Sequence, residues 1–197
     1  MKRFFHGFWI LTLCGCAVRW GISPVYSPLG YTPYTETKRV FLEPVIFSGN
    51  LSESSVDILG FRIKPEDFLS KPIEKHVEEA IKKEGTASGL FMFKNSPECT
   101  DYLIKAEVKE FKFTITIEEV PVKGEGYAYY YRVDMWMILC CEVSKNGRNI
   151  ISKVYPSKLS HATLFHYLGK WEILFTEDLN SLVFRAISQL FDDIERY

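Results

Sequence analysis

The residues best suited to chemistry in this sequence are two histidines and a cysteine. His161 and His166 stand five positions apart, with Ser160 and Thr163 beside them. Cys99 could act as a nucleophile if a histidine took its proton, and a histidine pair could bind metal if further ligands joined it. Carboxylates are scarce near these histidines, and no protease, phosphate-loop or dinucleotide motif is present. We therefore predict no catalytic residue, no metal site and no cofactor, and we interpret the histidines as surface or rim residues.

A second candidate site is the outer face of two consecutive strands, since alternate side chains of a strand share one face. We predict that this candidate partner or ligand face comprises Lys105, Lys109, Arg132, Asp134, Trp136 and Ile138. Arg132 and Asp134 lie two apart on the same strand face, and a cross-strand ion pair is the interpretation we favour for them. The lysines alternate with Glu107 and could bind the phosphates of an anionic glycolipid, although such interleaved charge is more typical of a solubilising surface.

The apolar side chains on this face need a separate explanation. Trp136, Ile138 and Cys140 occupy positions that should meet water. Either the N-terminal tether or residues 156–174 cover them, or they form a patch that binds a partner. The sequence favours covering.

The chain begins with a short basic and apolar segment. Lys2 and Arg3 precede an apolar run over residues 4–13. This run is too short to cross a hydrocarbon core about 30 Å thick, which needs roughly 20 residues. A basic start and a short apolar run before small residues are typical of a secretory signal, which we assign to residues 1–15.

The signal ends in Leu13-Cys14-Gly15-Cys16. These residues resemble the lipobox of bacterial lipoproteins, in which the cysteine after the cleavage site is acylated. The resemblance implies that acyl chains on Cys16 anchor the protein, since each buried CH₂ contributes about 0.8 kcal/mol. Because Ala17 and not aspartate follows, it also implies the outer membrane. A plain signal peptide with incidental cysteines and a buried N-terminal helix are the alternatives.

Residues 16–38 are expected to form the lipidated cysteine and an extended tether, because Pro24, Pro28 and Pro33 leave no periodicity there. The aromatic side chains of the tether are expected to pack on the domain rather than lie at the lipid interface. A single domain is predicted at residues 39–197. Its three cysteines give no disulfide framework.

Apolar alternation predicts the strands of this domain. They are expected at residues 39–47, 89–93, 101–118, 127–143 and 149–155, with loops at 48–55 and 119–126 and an irregular stretch at 156–174. The apolar positions change phase near Lys109 and Glu110, which predicts a β-bulge. Asn146-Gly147 predicts the turn of a hairpin.

Two amphipathic helices complete the predicted elements. The first covers residues 70–84, with Ser70 as its N-cap, His76 on its polar face and Gly85 just beyond its C-terminus. The second begins at about Thr176 and continues to the end of the chain.

The composition is that of an ordinary globular domain, with 47% hydrophobic and 25% charged residues and a net charge of −1. The balanced charge and the lack of a basic block predict no nucleic-acid partner. The order of elements predicts an α+β fold, a two-layer sandwich of a mainly antiparallel sheet with two helices packed on one face.

The lipobox and the order of elements together resemble a group of envelope lipoproteins. The segments that carry the resemblance are Leu13-Cys14-Gly15-Cys16, the hairpin YRVDMWMILCCEVSKNGRNIISKVY, and FTEDLNSLVFRAISQLFDDI after an aromatic loop. They are similar to the LptE-like lipopolysaccharide-assembly lipoproteins and to the auxiliary lipoproteins of lipid-transporting ABC systems.

This resemblance implies a non-catalytic lipoprotein of the outer membrane, facing the periplasm, that supports assembly or transport of lipopolysaccharide or other lipid components. Its expected partners are the membrane, through the anchor, and an outer-membrane protein or a lipid. The alternatives are a structural or surface lipoprotein with another role and a periplasmic hydrolase with a Cys/His or His/Asp site.

Overall fold

A long three-stranded meander forms the centre of the fold. The computed structural model describes residues 21–29, 36–124 and 126–197. The strands are β1 (Lys38–Leu42), β2 (Ile46–Phe47), β3 (Ser55–Ile58), β4 (Phe61–Ile63), β5 (Phe91–Phe93), β6 (Tyr102–Val122), β7 (Gly126–Lys145) and β8 (Arg148–Phe165). The helices are α1 (Pro65–Phe68), α2 (Ile73–Ala87) and α3 (Trp171–Glu195), and short 3-10 turns lie at Pro97–Cys99 and Leu168–Lys170.

The meander consists of β6, β7 and β8, which pair antiparallel over most of their lengths. The pairing of β6 with β7 shifts between Val108 and Glu110, so the predicted β-bulge is confirmed. Asn146 and Gly147 take φ values of 49° and 77°. Both positive values fit the hairpin turn that Asn-Gly favours, and this prediction is also confirmed.

The strand β8 continues to Phe165, so the prediction of an irregular stretch over residues 156–174 is wrong. Among the described residues β8 pairs only with β7 and is therefore an edge strand. Pro156 cannot donate a ladder hydrogen bond, but an edge strand tolerates a proline. Because proline usually ends a strand, the sequence pattern predicted that this strand stops at Tyr155.

Three short strands line the other edge of β6. The strands β1, β2 and β3 pair in succession with its residues 102–104, 107–108 and 114–117, all in parallel. The strand β5 adds to β1 in parallel, and β4 adds to β3 antiparallel. The sheet is therefore a mixed eight-stranded sheet, and the prediction of a mainly antiparallel sandwich is corrected. Pro44 splits the single strand expected at residues 39–47.

The helices pack on one face of the sheet, but their ends differ from the predicted ends. The helix α2 begins after Pro72, and Gly85 lies inside it rather than beyond it. A Cβ on Gly85 would stand 2.3 Å from a ring carbon of Phe91, so the glycine allows this close packing. The helix α3 begins at Trp171, five residues before Thr176, because Trp171 and Leu174 extend its buried stripe.

The core contains many aromatic rings between the sheet and the helices. Phe68 of α1, a short helix that the sequence did not predict, is fully buried and contacts rings from β6 and α3. Its ring centroid lies 5.8 Å from that of Phe113, 5.6 Å from that of Trp171 and 5.0 Å from that of Phe175. These contacts hold α1 at the start of α3.

Residues 21–29, which we call the N-terminal strap, lie along the helices. The backbone of Ile22 exchanges hydrogen bonds with its surroundings, donating to the carbonyl of Phe68 at 2.7 Å and accepting from the amide of Ser70 at 2.9 Å. Ile22, Pro24 and Tyr26 are buried, whereas the residues between them are exposed. The strap thus alternates like a strand although it pairs with the sheet nowhere in the described chain.

In the described ranges, no helix combines the length and the apolar character that a bilayer crossing requires.

Candidate functional site

The six residues of the predicted partner face lie on β6 and β7, on the side of the sheet away from the helices. We call this side the outer face. Cross-strand pairing places Lys105 opposite Glu142, Lys112 opposite Trp136 and Glu110 opposite Ile138. The strand β8 continues these rows with Lys158 opposite Trp136 and Pro156 opposite Ile138. The strand register therefore places the predicted residues on one surface, which extends over several cross-strand pairs of the meander.

Both lysines of the predicted site, Lys105 and Lys109, are engaged with carboxylates. Lys105 lies 3.4 Å from a carboxylate oxygen of Glu43, and Lys109 lies 2.7 Å from one of Glu107. The hydrogen bond from Lys109 lowers the pKa of Glu107. An incoming phosphate would have to compete with these internal partners, so the arrangement does not favour a stripe for anionic headgroups.

Arg132 and Asp134 pair along one strand and not across strands. The Arg132 guanidinium stands 3.1 Å from the Asp134 carboxylate, and Ser160 of β8 donates a 2.6 Å hydrogen bond to the same carboxylate. The Ser160 hydrogen bond, with help from Arg132, lowers the pKa of Asp134. Such an exposed pair contributes on the order of 0–1 kcal/mol to folding.

Apolar side chains lie between these charged groups. Trp136, Ile138 and Cys140 are half-buried, and the Trp136 indole donates to Glu110. Ile46 of β2 and Val154 of β8 flank Cys140 and are 56% and 59% exposed. These five side chains form a partly exposed apolar patch on the outer face, surrounded by charged residues.

A shallow groove of about 490 Å³ crosses this surface near Cys140. Side chains that line it include Glu43, Ile46, Lys105, Lys109, Cys140 and Val154. The lysines of the predicted site thus border the groove, whereas Arg132, Asp134, Trp136 and Ile138 are not among its lining residues.

No described segment covers Trp136 and Ile138. The described part of the tether and residues 156–165 lie elsewhere: the strap packs on the helices, and residues 156–165 extend the sheet as β8. Covering was the favoured explanation, and within residues 21–29, 36–124 and 126–197 it is not observed.

A buried polar cluster joins the meander to α3. The Tyr131 hydroxyl donates to Asp178 at 2.9 Å, and Nδ1 of His161 lies 2.9 Å from the same carboxylate. Burial raises the pKa of Asp178, against the opposing effects of the Tyr131 hydrogen bond and His161. No hydroxyl or thiol among the described side chains hydrogen-bonds the His161 ring, so the cluster lacks a primed nucleophile. It fixes α3 on the sheet.

The cysteines are not placed to complete a Cys/His site. Cys99 precedes β6, whereas His161 is opposite Val133, which pairs with Ile115 further along β6. From Tyr102, where β6 begins, to Ile115 is thirteen residues, on the order of 40 Å along an extended strand. Burial raises the pKa of the Cys140 and Cys141 thiols, which keeps them protonated. His166 is exposed just after β8.

A second polar cluster, not anticipated from the sequence, lies beneath the strap. Glu84 of α2 is fully buried and accepts hydrogen bonds from the Tyr26 hydroxyl at 2.8 Å and the Leu29 amide at 2.6 Å. Asn180 of α3 donates to the carbonyl of Val25, and Lys83 donates to that of Tyr26. These contacts bind the strap to both long helices.

His76 is also buried in this cluster, contrary to its predicted place on the polar face of α2. Its ring packs edge-on against Tyr26, with centroids 5.6 Å apart. Neither ring nitrogen has a hydrogen-bond partner among the described residues. Burial, aided by Lys71, lowers the pKa of His76 to about 4. Its spacing could have revealed this position, because residue 76 is three after Ile73 and four before Ala80.

Cys16 lies outside the described residues, as do three of the tether aromatics, Trp20, Tyr31 and Tyr34. The expectation that tether aromatics pack on the domain is met by Tyr26, which is 1% exposed.

No protein-family model and no curated protein sequence matches the chain. A DUF330-family protein from Xanthomonas campestris is similar in structure, with a TM-score of 0.52 and 11% identity over 89% of this chain and 97% of that one. A hypothetical protein from Chlamydia trachomatis gives a TM-score of 0.50 and 10% identity over 82% and 98%. A minor lipoprotein from Acinetobacter baumannii gives 0.34 and 14% over 81% and 93%. The first two show a shared fold.

Proposed function

We propose that this chain is a non-catalytic lipoprotein of the outer membrane that supports assembly or transport of envelope components. In this proposal Cys16 carries the lipid, and the outer face of the sheet binds a protein partner in the envelope. The observation that carries the proposal is the uncovered outer face, where Trp136 and Ile138 lie half-exposed among paired charges.

A protein partner suits this surface better than a lipid headgroup. Protein interfaces favour aromatic residues and arginine around an apolar centre with a polar rim. Trp136 and Ile138 supply the centre, and Arg132 lies two rows away. The lysines already pair with Glu43 and Glu107, which reduces the attraction for phosphate.

The anchor is tested by replacing the cysteine. We expect Cys16→Ser to abolish incorporation of radioactive palmitate and to release the protein from washed membranes, because acylation needs the thiol. Cys14→Ser is the matched control, since Cys14 stands two residues earlier in the same segment. Palmitate incorporation that persists in Cys16→Ser, or is lost equally in both variants, would refute the assignment to Cys16.

The partner face is tested by quantitative affinity purification of the full lipidated protein from its own envelope. Ile138→Lys places a charge in the apolar centre of the outer face. Met92→Lys is the control, because Met92 is 48% exposed on β5, which β1 and β6 separate from β7 and Ile138. We expect at least one envelope protein to be depleted in Ile138→Lys and retained in Met92→Lys, with circular dichroism showing both variants folded. Identical recovery with both variants would overturn the proposed face.

A further inference from the structure

Large apolar side chains are exposed together at one end of the molecule. We call it the hairpin end, because it contains the turn between β6 and β7. The exposed residues of this end are Leu59, Phe61, Tyr127, Leu164, Tyr167 and Ile173, each 37–77% exposed.

Strand pairing places Leu59, Leu164 and Tyr127 at the end of the sheet where β6 turns into β7. The Leu59 amide donates to the carbonyl of Ile117, and Ile117 pairs with Tyr131. Leu164 pairs with Tyr130. Tyr127 lies further out, opposite Pro121, where the β6–β7 hairpin extends past its neighbours.

The chain segment after β8 adds two more of these side chains. Tyr167 and Ile173 lie either side of Trp171, where the chain turns from the end of β8 into α3. Tyr167 is 77% exposed and is thus the most open of the large apolar side chains in the described chain.

The opposite end of the sheet has a different character. The Asn146-Gly147 turn is flanked by Lys145 and Arg148, and the nearby Asp101 pairs with Arg39. Of the exposed tyrosines in the described ranges, only Tyr197 lies here, with its backbone carbonyl hydrogen-bonded to Lys145.

The strap enters the domain at the hairpin end. Ile22 is bonded to Phe68, and the Phe68 ring stacks on Trp171 at the start of α3. From Gly21 back to Cys16 there are five residues. A chain of that length spans at most about 17 Å in any conformation. An acylated Cys16 would therefore hold the hairpin end close to the surface of the bilayer.

We propose that the hairpin end is a membrane-contact surface, in which Phe61, Tyr127 and Tyr167 enter the interfacial layer of the bilayer that holds the anchor. This inference rests on the proposed acylation of Cys16. Tyrosine suits that layer because its ring is apolar and its hydroxyl can remain hydrated. The proposal orients the domain with the Asn146-Gly147 turn away from the membrane and the outer face open to a partner.

The charges at this end are mixed. Arg62 and Lys64 are exposed next to Phe61, and Glu118 and Glu119 are exposed on β6. Contact would therefore depend on ring insertion and on the short chain to the anchor, and we expect it to be insensitive to the fraction of anionic lipid.

The test is photo-crosslinking of the full acylated protein in liposomes of phosphatidylethanolamine and phosphatidylglycerol. Phe61, Tyr127 or Tyr167 is replaced singly by p-benzoyl-L-phenylalanine, and Tyr197 and Met92 serve as exposed controls at other places. The radioactive label is on the bulk phospholipid, so it is distinct from the acyl chains of the protein. We expect roughly ten-fold more labelled lipid on the hairpin-end positions than on the controls.

The outcomes separate this inference from the proposed function. Equal labelling at all five positions, or protein-to-protein adducts in place of lipid adducts at the hairpin end, would overturn the membrane contact and leave the anchor intact. Mass spectrometry of the N-terminal peptide is run on the same sample. An unacylated Cys16 would refute the proposed anchor, and the inference with it.

Discussion

Buried polar residues mark the place where the strap meets the helices. Glu84 accepts two hydrogen bonds from the strap through one carboxylate oxygen, and the other oxygen has no partner among the described residues. His76 lies about two turns earlier in α2, against the Tyr26 ring, and neither of its nitrogens has a hydrogen-bond partner among the described residues. Each unpaired buried group costs about 1–3 kcal/mol. The cluster is therefore a costly way to hold the nine residues of the strap.

We predict that His76 makes the fold sensitive to acid. The unfolded histidine titrates near pH 6.5, whereas in the fold burial lowers the pKa of His76 to about 4. Between these values the unfolded state binds more protons, so the free energy of unfolding should fall by about 3 kcal/mol as the pH drops from 6.5 to 4. This stability is fully present above pH 6.5. Urea unfolding of the wild type and of His76→Leu at several pH values measures the difference.

The comparison variant is His166→Leu, which removes an exposed histidine and so shows how the loss of a histidine elsewhere in the fold changes the curve. Since carboxylates titrate in all three proteins, only the difference between curves counts. Wild-type and His76→Leu curves that run parallel between pH 6.5 and 4 would contradict a buried neutral His76.

At the scale of elements, the long regular segments and the short strand β5 were predictable, whereas β3, β4 and α1 were not. The bulge and the Asn146-Gly147 turn follow from side-chain phase and from backbone chemistry, which act locally. The strands β3 and β4 have only four and three residues, too few to show alternation. The strand β3 forms on an edge that β6 leaves unpaired, and β4 adds to β3. Parallel pairing with a distant strand leaves no local signal, which is why the sheet was predicted as mainly antiparallel.

The bulge gives a prediction about which residue of β6 can be lost. Deletion of Lys109 leaves Val108 and Glu110 adjacent, opposite Leu139 and Ile138, which is regular pairing with every apolar side chain still facing the core. We expect this variant to fold, with its stability reduced only modestly. Deletion of Thr114 instead turns Ile115 to the outer face and should abolish folding.

Circular dichroism and urea unfolding of both deletions test this prediction. The two variants lose the same number of residues from the same strand, so each is the control for the other. If the Lys109 deletion unfolded as completely as the Thr114 deletion, the bulge would have a further essential role, and the prediction would fail.

At the scale of the whole molecule, the strap connects the predicted anchor to the domain, and its docking on the helices was not predicted from the sequence. Its alternation spans only Ile22, Pro24 and Tyr26, interrupted by prolines, and so was not recognised in the sequence. The outer face was predictable because strand periodicity fixes which residues share a face. Whether another segment covers that face was not predictable, because this depends on where segments distant in sequence lie.

The strap should open before the meander does. It is held by a few buried side chains over polar groups, whereas β6 and β7 share a long antiparallel ladder. Such units open locally at a lower free energy than the whole domain. Tyr26→Ala removes the main buried ring of the strap and its hydrogen bond to Glu84. We therefore expect faster amide hydrogen exchange in residues 21–29, measured by mass spectrometry, with the exchange of β6 and β7 unchanged.

The matched control is Val25→Ala, next in sequence but 61% exposed, which should leave exchange in the strap as in the wild type. If Tyr26→Ala accelerated exchange in β6 and β7 as much as in the strap, the strap would belong to the cooperative core. Exchange confined to the strap would mean that the chain to Cys16 can lengthen while the sheet stays folded. The hairpin end could then leave the bilayer without loss of the outer face, because the two surfaces are built from different parts of the same sheet.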